Sequence, residues 1–139
     1  MPDSQMIREI EMVAVNKETV AVYLLDDDPS ILKATSRLLD SVGWKVEAFT
    51  DPFAFLERAA IDCPDVAVID MLMPHMNGLE VQTRLHGVSP STRVIVLTAK
   101  DDPSVQRMAM NAGASAFFNK GAESGEFLAA IKAAADSKN

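Results

Sequence analysis

The fold of this chain is decided by the stretch VYLLDDDPS, residues 22–30, in which an apolar run leads directly into three aspartates. A short apolar run bounded by turn residues is typical of a buried strand. Pro29 then opens a helical pattern, since proline is favoured in the first turn of a helix. The stretch therefore predicts a strand, a short acidic loop and a helix, with the carboxylates where the strand leaves the sheet.

Five such strand–helix units follow one another from residue 20 onward. The predicted strands are Val20–Leu25, Lys45–Phe49, Asp65–Asp70, Arg93–Thr98 and Ser115–Asn119. The predicted helices are Pro29–Val42, Pro52–Ala60, Asn77–Val88, Pro103–Ala112 and Ser124–Ala135. From the spacing of its apolar residues, we expect the second helix to bury Phe53, Leu56 and Ala60.

This alternation predicts a doubly wound α/β fold of the flavodoxin-like type, with a five-stranded parallel sheet and five helices. Ligands of such sheets bind outside the carboxyl ends of the strands. Asp70 closes the apolar run VAVI at 66–69, as Asp26 and Asp27 close the first run. These carboxylates can meet only if the first and third strands are neighbours, which fits the strand order 2-1-3-4-5.

Carboxylates gathered at one edge of a sheet repel each other unless a cation lies between them. Two unit charges about 4 Å apart cost on the order of 4 kcal/mol at an effective dielectric constant near 20. The acidic strand ends therefore indicate a divalent-metal site, with one carboxylate left over to react.

Composition excludes several classes of protein. The 139 residues, 48% of them apolar, suit one domain with a single core. The net charge of −7 argues against direct binding of nucleic acid, which depends on basic patches. No stretch approaches the length of a membrane span, and the start lacks a signal-peptide pattern, so we expect a cytoplasmic protein that does not bind membranes.

Cys63 is the only cysteine, which excludes an internal disulfide and a zinc cluster of cysteines. We expect it in the core or near the surface, without a redox role. His75 and His86 have no metal-binding spacing, and we expect both to be exposed.

Residues 1–19 stand outside the alternation and form an N-terminal extension to a domain at 20–136. Met6, Ile10 and Val13 have helical spacing, so a short helix packed on the domain or on a partner is one interpretation. A mobile tail is the interpretation that we favour, because chain termini are commonly poorly ordered unless docked.

The chain resembles the receiver domain of two-component response regulators over about residues 20–136. The resemblance lies in four segments, whose order and spacing are specific as a set: LLDDDPS (24–30), VIDMLMPHMNGLE (68–80), VIVLTAK (94–100) and NAGASAFFNK (111–120). It implies a phosphoacceptor in a two-component or phosphorelay system, served by a sensor histidine kinase or a histidine phosphotransfer protein. It also implies that the chain is not a turnover enzyme and catalyses only its own phosphotransfer and slow autodephosphorylation.

The resemblance implies a role for each matching acidic residue. Asp70 matches the aspartate that accepts the phosphoryl group. Asp26 and Asp27 match the acidic pair that holds Mg²⁺ or Mn²⁺, with Asp27 the expected direct ligand. Asp70 and the backbone carbonyl of Leu72 complete the implied metal site. Mg²⁺ suits such a site, because it takes few carboxylates and keeps positions for water and phosphate oxygens.

Three further residues match the family's phosphoryl contacts and switch. Thr98 matches the hydroxyl that bonds the phosphoryl group, and Lys120 matches the cation that pairs with it. Phe117 matches the aromatic switch position, so Thr98 and Phe117 are the expected switch. The added phosphoryl group carries about −1.5 to −2 charge at neutral pH, and we expect it to change the face formed by residues 103–135. The same face is where a homodimer would form.

The chain departs from the family after the lysine. Gly121 stands where the family has a proline joined through a cis bond, and Ala122 replaces the usual aromatic. A cis bond before a residue other than proline costs about 2.5–4 kcal/mol, so we expect a trans bond here. We also expect the loop at 120–125 to be looser than in the family.

Two positions next to the site are expected to tune the lifetime of a phosphorylated form. Leu72 lies two residues after Asp70, and Lys100 lies two residues after Thr98. An apolar side chain at 72 cannot orient an attacking water, so we expect slow self-dephosphorylation.

Two other functions stay open on the sequence alone. A Mg²⁺-dependent phosphohydrolase with an aspartyl nucleophile would need a second carboxylate two residues after Asp70, where Leu72 stands. A phosphate-independent interaction module would not need the acidic pair, Asp70 and Lys120. A flavin-binding domain on this fold is rejected, because the acidic loop DDDPS at 26–30 would repel a phosphate.

Overall fold

Parallel strands form one sheet in the order β2-β1-β3-β4-β5 within the computed structural model, which describes residues 19–99 and 102–137. The strands are β1 (Ala21–Leu25), β2 (Lys45–Phe49), β3 (Val66–Ile69), β4 (Arg93–Thr98) and β5 (Ala116–Asn119). The helices are α1 (Pro29–Ser41), α2 (Pro52–Asp62), α3 (Gly78–Val88), α4 (Pro103–Asn111) and α5 (Ser124–Asp136). The predicted fold class and strand order are confirmed.

Side-chain caps decide where the helices begin. Helices α1, α2 and α4 each start with a proline that follows an aspartate, and each aspartate accepts a hydrogen bond from the amide two residues on. Helix α3 instead has Asn77 as its cap, with Oδ1 accepting from the Glu80 amide at 2.9 Å. The prediction that Asn77 belongs to the helix was therefore one residue early, because a cap residue is not helical.

The two faces of the sheet carry two separate cores. Helices α2, α3 and α4 cover one face, and α1 and α5 cover the other. Because side chains alternate along a strand, Tyr23 and Leu25 of β1 face the first core while Val22 and Leu24 face the second. This two-sided burial explains why the strands are continuously apolar.

The prediction for the buried face of α2 was wrong for Phe53 and Ala60, whereas Leu56 is partly buried against the core as expected. Phe55 and Ala59 are fully buried, whereas Phe53 is 56% exposed and Ala60 is exposed. The buried residues are spaced by four along the helix, and Phe53 lies two residues from Phe55 and so on a different side. Phe53 instead lies under the guanidinium of Arg84 on α3, whose Cζ is 6.0 Å from the ring centroid.

Cys63 lies at the exposed end of α2, where the chain adopts a left-handed conformation with φ of 47°. It belongs to neither core. The interpretations offered for Met6, Ile10 and Val13 fall on residues 1–18, which lie outside the described residues. In residues 19–99 and 102–137, no helix is long and apolar enough to cross a membrane.

Helix α3 begins unusually close to the end of β3. A Cβ on Gly78 would lie 2.7 Å from the carbonyl oxygen of Asp70 and 2.7 Å from the Cα of Met71. The Gly78 amide also donates to the Met71 carbonyl at 3.1 Å. Only glycine allows this approach, which fixes the segment that carries Asp70 against the start of α3.

We expect Phe55→Ala to lower the free energy of unfolding by about 3–5 kcal/mol, the usual cost of truncating a buried phenylalanine. The ring of Phe55 packs edge-on against Tyr23 and Phe49, with centroids 6.2 and 5.8 Å away. Urea denaturation measures the change. Phe53→Ala is the matched control in the same helix, and its cost should stay below about 1 kcal/mol. Equal costs for the two variants would contradict the assigned face.

We expect Gly78→Ala to lower the free energy of unfolding by about 1–3 kcal/mol, because the new methyl group meets backbone atoms that cannot turn aside. Gly87→Ala in the same helix is the control, since its Cβ would meet nothing within 4 Å. That variant should gain up to about 1 kcal/mol from the better helix propensity of alanine. Urea denaturation of both proteins gives the comparison, and a neutral Gly78→Ala would refute the close approach.

Candidate functional site

Three carboxylates converge at the carboxyl end of the sheet. Asp26 and Asp27 follow β1, Asp70 follows β3, and one oxygen from each lies within 4.8 Å of the others. Strands β1 and β3 are paired in register up to Leu25 and Ile69, so the residues that follow them emerge side by side. The Asp70 amide donates to the Leu25 carbonyl at 3.0 Å and extends this pairing.

Two of these carboxylates are buried and one is exposed. Asp26 and Asp70 retain 4% and 3% of their exposure, whereas Asp27 faces solvent. Each buried carboxylate uses Oδ1 to accept a backbone amide, Asp26 from Asp28 at 2.9 Å and Asp70 from Leu72 at 3.1 Å. The second oxygen, Oδ2, of each carboxylate remains available to another partner.

That partner is the ammonium group of Lys120. Its Nζ lies 2.8 Å from Oδ2 of Asp26 and 3.3 Å from Oδ2 of Asp70. The backbone positions it, because the Lys120 amide donates to the Thr98 carbonyl at 2.8 Å and so continues the pairing of β4 with β5. Sequence reasoning placed Lys120 beside Asp70 but missed its shorter contact with Asp26, for which the sequence carries no signal.

Burial and charge shift the pKa values of this cluster. Burial, reinforced by the charge of Asp26, raises the pKa of Asp70 above its usual range, although the Leu72 amide and Lys120 act in the opposite direction. Burial alone would lower the pKa of Lys120. The hydrogen bond to Asp26 and the charges of Asp70 and Asp26 outweigh that effect, and the pKa of Lys120 is raised. The lysine is therefore fully charged at neutral pH, while the Asp70 carboxylate is less stabilised than an ordinary one.

Thr98 and Phe117 lie deeper than the acidic cluster. Thr98 is fully buried, and its hydroxyl has no hydrogen-bond partner among the described residues. An unpaired buried hydroxyl is costly, so this group has a driving force to take up an acceptor. Phe117 is half-buried and packs against the core under α2, α3 and α4. Their predicted switch roles stay predictions.

Of the two predicted tuning positions, Leu72 lies among the described residues. The Leu72 side chain is 46% exposed beside the Asp70 carboxylate, and the Leu72 amide donates to Oδ1 of that carboxylate. Its role as a carbonyl ligand to a metal stays a prediction. Lys100 lies outside the described residues.

The loop after Lys120 is held by Asn119. The Gly121 amide donates to Asn119 Oδ1 at 2.9 Å, and the Ala122 amide donates to the Asn119 carbonyl at 2.9 Å. No peptide bond in residues 19–99 and 102–137 is cis, so the bond before Gly121 is trans, as expected. The expectation that the loop at 120–125 is looser than in the family stays a prediction. Sequence reasoning missed Asn119, although an asparagine two residues before a glycine is a turn signal.

The amino-acid sequence is similar to those of known proteins. The profile of the response regulator receiver domain matches residues 22–132. The response regulator TodT of Pseudomonas putida is 37% identical over 116 residues, which are 81% of this chain and 50% of that protein. The response regulator MprA of Mycobacterium tuberculosis is 34% identical over 115 residues, covering 83% of this chain and 50% of that protein. The chain thus spans about half the length of these relatives.

Structural comparison agrees. The CheY-like receiver domain protein from Methanospirillum hungatei superposes with a TM-score of 0.80 at 26% identity, over 87% of this chain and 97% of that one. The segment matched by the family profile, residues 22–132, contains the aspartate cluster and every strand except the first residue of β1. The chain therefore belongs to the response regulator receiver domain family.

Proposed function

We propose that Asp70 accepts a phosphoryl group from the phosphohistidine of a sensor histidine kinase or histidine phosphotransfer protein, in a reaction that needs Mg²⁺ or Mn²⁺. The observation that carries this proposal is the convergence of the Asp26, Asp27 and Asp70 carboxylates with the Lys120 ammonium group. Membership of the receiver family supports a phosphoacceptor in two-component signalling.

The donor set at this site fits a small divalent cation. Carboxylate oxygens are the ligands that Mg²⁺ prefers, and oxygens of Asp26, Asp27 and Asp70 lie close enough together to share one ion. One lysine and one divalent cation balance the formal charge of three carboxylates. When bound, the cation neutralises charge on the oxygens of the transferred phosphoryl group.

The transfer itself is a substitution at phosphorus. An oxygen of the Asp70 carboxylate forms a bond to phosphorus while the bond from phosphorus to the imidazole nitrogen breaks, and the electron pair of that bond stays on the nitrogen. Catalysis of such a transfer depends on positioning and on neutralised charge. Asp70 meets the first need, because the Leu72 amide orients one of its oxygens at 3.1 Å.

Lys120 and Thr98 supply the protein's own charge and hydrogen bonds. The ammonium group already contacts Asp70, so a phosphoryl group on that residue would bring acceptor oxygens within its reach. The unpaired Thr98 hydroxyl would gain an acceptor by turning toward the same oxygens. This movement would open space for Phe117 and shift the population of the face at 103–135.

The readout surface is expected on α4, β5 and α5. Met108 and Met110 of α4 are 46% and 42% exposed, which suits a contact with an output partner or a second copy of the chain. The net charge of −7 does not favour direct contact with nucleic acid. We propose a cytoplasmic location, where the kinase would act.

A stoichiometric acceptor is favoured over a phosphohydrolase. A phosphohydrolase of this kind needs a general acid beside its aspartyl nucleophile. The apolar side chain of Leu72 occupies the position two residues after Asp70. We therefore propose that the chain does not turn over a phosphomonoester, and a sustained release of phosphate from p-nitrophenyl phosphate would refute this. A phosphate-independent interaction module is the remaining alternative.

We expect incubation with acetyl phosphate and Mg²⁺ to add the mass of one phosphoryl group to the protein, as measured by intact mass spectrometry. Asp70→Asn should gain nothing, because an amide cannot form the acyl phosphate. EDTA should suppress the reaction in the parent protein, because the proposed transfer needs a divalent cation. Asp27→Ala should raise the Mg²⁺ concentration needed for half-maximal labelling. An unlabelled parent would contradict the proposal and favour the phosphate-independent module.

We expect Leu72→Asn to lose its phosphoryl group about fivefold faster than the parent, the scale of one hydrogen bond that orients an attacking water. Decay of the purified phosphorylated protein, followed by mass spectrometry, measures the rate. Leu72→Met keeps an apolar side chain of similar volume and should decay at the parent rate. An asparagine variant that decays no faster than the parent would count against the tuning role of position 72.

A further inference from the structure

Lys120 is fixed by hydrogen bonds on both sides along the chain. Before it, the pairing of β4 with β5 continues through the Lys120 amide to the Thr98 carbonyl, at 2.8 Å. After it, the Gly121 amide donates to the Asn119 side chain at 2.9 Å, and the Ala122 amide donates to the Asn119 carbonyl at 2.9 Å. The sheet therefore sets the start of this turn, and Asn119 sets its end.

The hydrogen bond from the Gly121 amide to Asn119 requires a residue other than proline at position 121, which is where this chain departs from the family pattern. A proline at 121 would have no amide hydrogen and could not make it. A fixed proline ring restrains the backbone after the lysine by its own geometry, whereas Gly121 has the least restrained backbone of all residues. In this chain a side-chain hydrogen bond supplies the restraint that the ring would give.

The restraint matters because the lysine side chain is long. Its Nζ reaches two buried carboxylates, and an ammonium group on a flexible stem loses much rotamer freedom when it is held in one place. A backbone that also moved would spread the ammonium group over more positions. A small displacement at such a site has a large effect on rate.

We propose that Asn119 is a positioning residue, whose side chain holds the Gly121 amide and thereby directs the Lys120 ammonium group to Asp26 and Asp70. The inference rests on the proposed phosphoacceptor function for its effect on rate, but not for its effect on the lysine. Asn119 is exposed and belongs to neither core, so it can be replaced without disturbing the packing.

Three variants test the proposal. Asn119→Ala removes the acceptor oxygen, and Asn119→Asp keeps an oxygen at the same place. Gly121→Ala keeps the amide donor, and its Cβ would meet Asn119 Oδ1 at an ordinary contact distance of 3.6 Å. We expect labelling by acetyl phosphate to fall about tenfold in Asn119→Ala, the scale of one lost hydrogen bond. The other two variants should stay within about threefold of the parent.

A second measurement separates positioning from stability and does not need phosphorylation. Hydrogen exchange of the Gly121 amide should be faster in Asn119→Ala and slow again in Asn119→Asp. In NMR spectra with ¹⁵N-labelled lysine, the Lys120 ammonium signal should be sharp in the parent and weakened in Asn119→Ala. Urea denaturation should show little change, since the side chain is exposed.

The outcomes are distinguishable. A parent protein that takes up no phosphoryl group would remove the proposed function, while the exchange and NMR comparison would still decide the role of Asn119. A labelled parent with an equally fast Asn119→Ala variant and an unchanged Lys120 signal would overturn the positioning role. The positioning role would also be overturned if Asn119→Ala were labelled slowly, lost free energy of unfolding to a matching extent, and Asn119→Asp did not restore the labelling rate.

Discussion

The structure depends on one electrostatic constraint, the burial of two carboxylates that share a single lysine. Asp26 and Asp70 are almost fully enclosed, and Lys120 contacts one oxygen of each. A buried charge is tolerated only when it is paired and hydrogen-bonded, and both carboxylates meet this condition through a backbone amide and the shared ammonium group. The pairing is still incomplete, because two negative charges face one positive charge and the exposed Asp27 adds a third negative charge nearby. The cluster therefore has a net attraction for a cation.

The fold explains why the constraint can be met at all. In a doubly wound sheet the carboxyl ends of parallel strands lie along one edge, and the order β2-β1-β3-β4-β5 makes β1 and β3 neighbours in the middle. Their acidic ends are thus adjacent without any loop having to reach across. Lys120 follows β5, two strands away from β3, and its side chain reaches Asp70 at 3.3 Å. The close start of α3 at Gly78 then fixes the segment that carries Asp70.

The sequence predicted those features that depend on periodicity and on strand ends. The apolar runs and their terminal aspartates are local patterns, so the fold class and the meeting of Asp26 with Asp70 followed from them. The buried face of α2 did not, because Phe53 and Phe55 are equally apolar and only tertiary contacts choose between them. The contact of Lys120 with Asp26 joins residues far apart in the chain and leaves no local trace. Asn119 had a local signal, but its effect depends on where the neighbouring lysine points.

The uneven sharing of Lys120 bears on how Asp70 would react. The ammonium group lies closer to Asp26 than to Asp70, at 2.8 against 3.3 Å, so Asp26 receives the stronger hydrogen bond. Burial raises the pKa of Asp70 further, which leaves its oxygens more basic than those of an exposed aspartate. A carboxylate that a lysine neutralised fully would be a poorer nucleophile. In the proposed transfer, Lys120 would keep the buried carboxylates paired without fully neutralising Asp70, and a phosphoryl group on Asp70 would offer the ammonium group stronger acceptors than it has now.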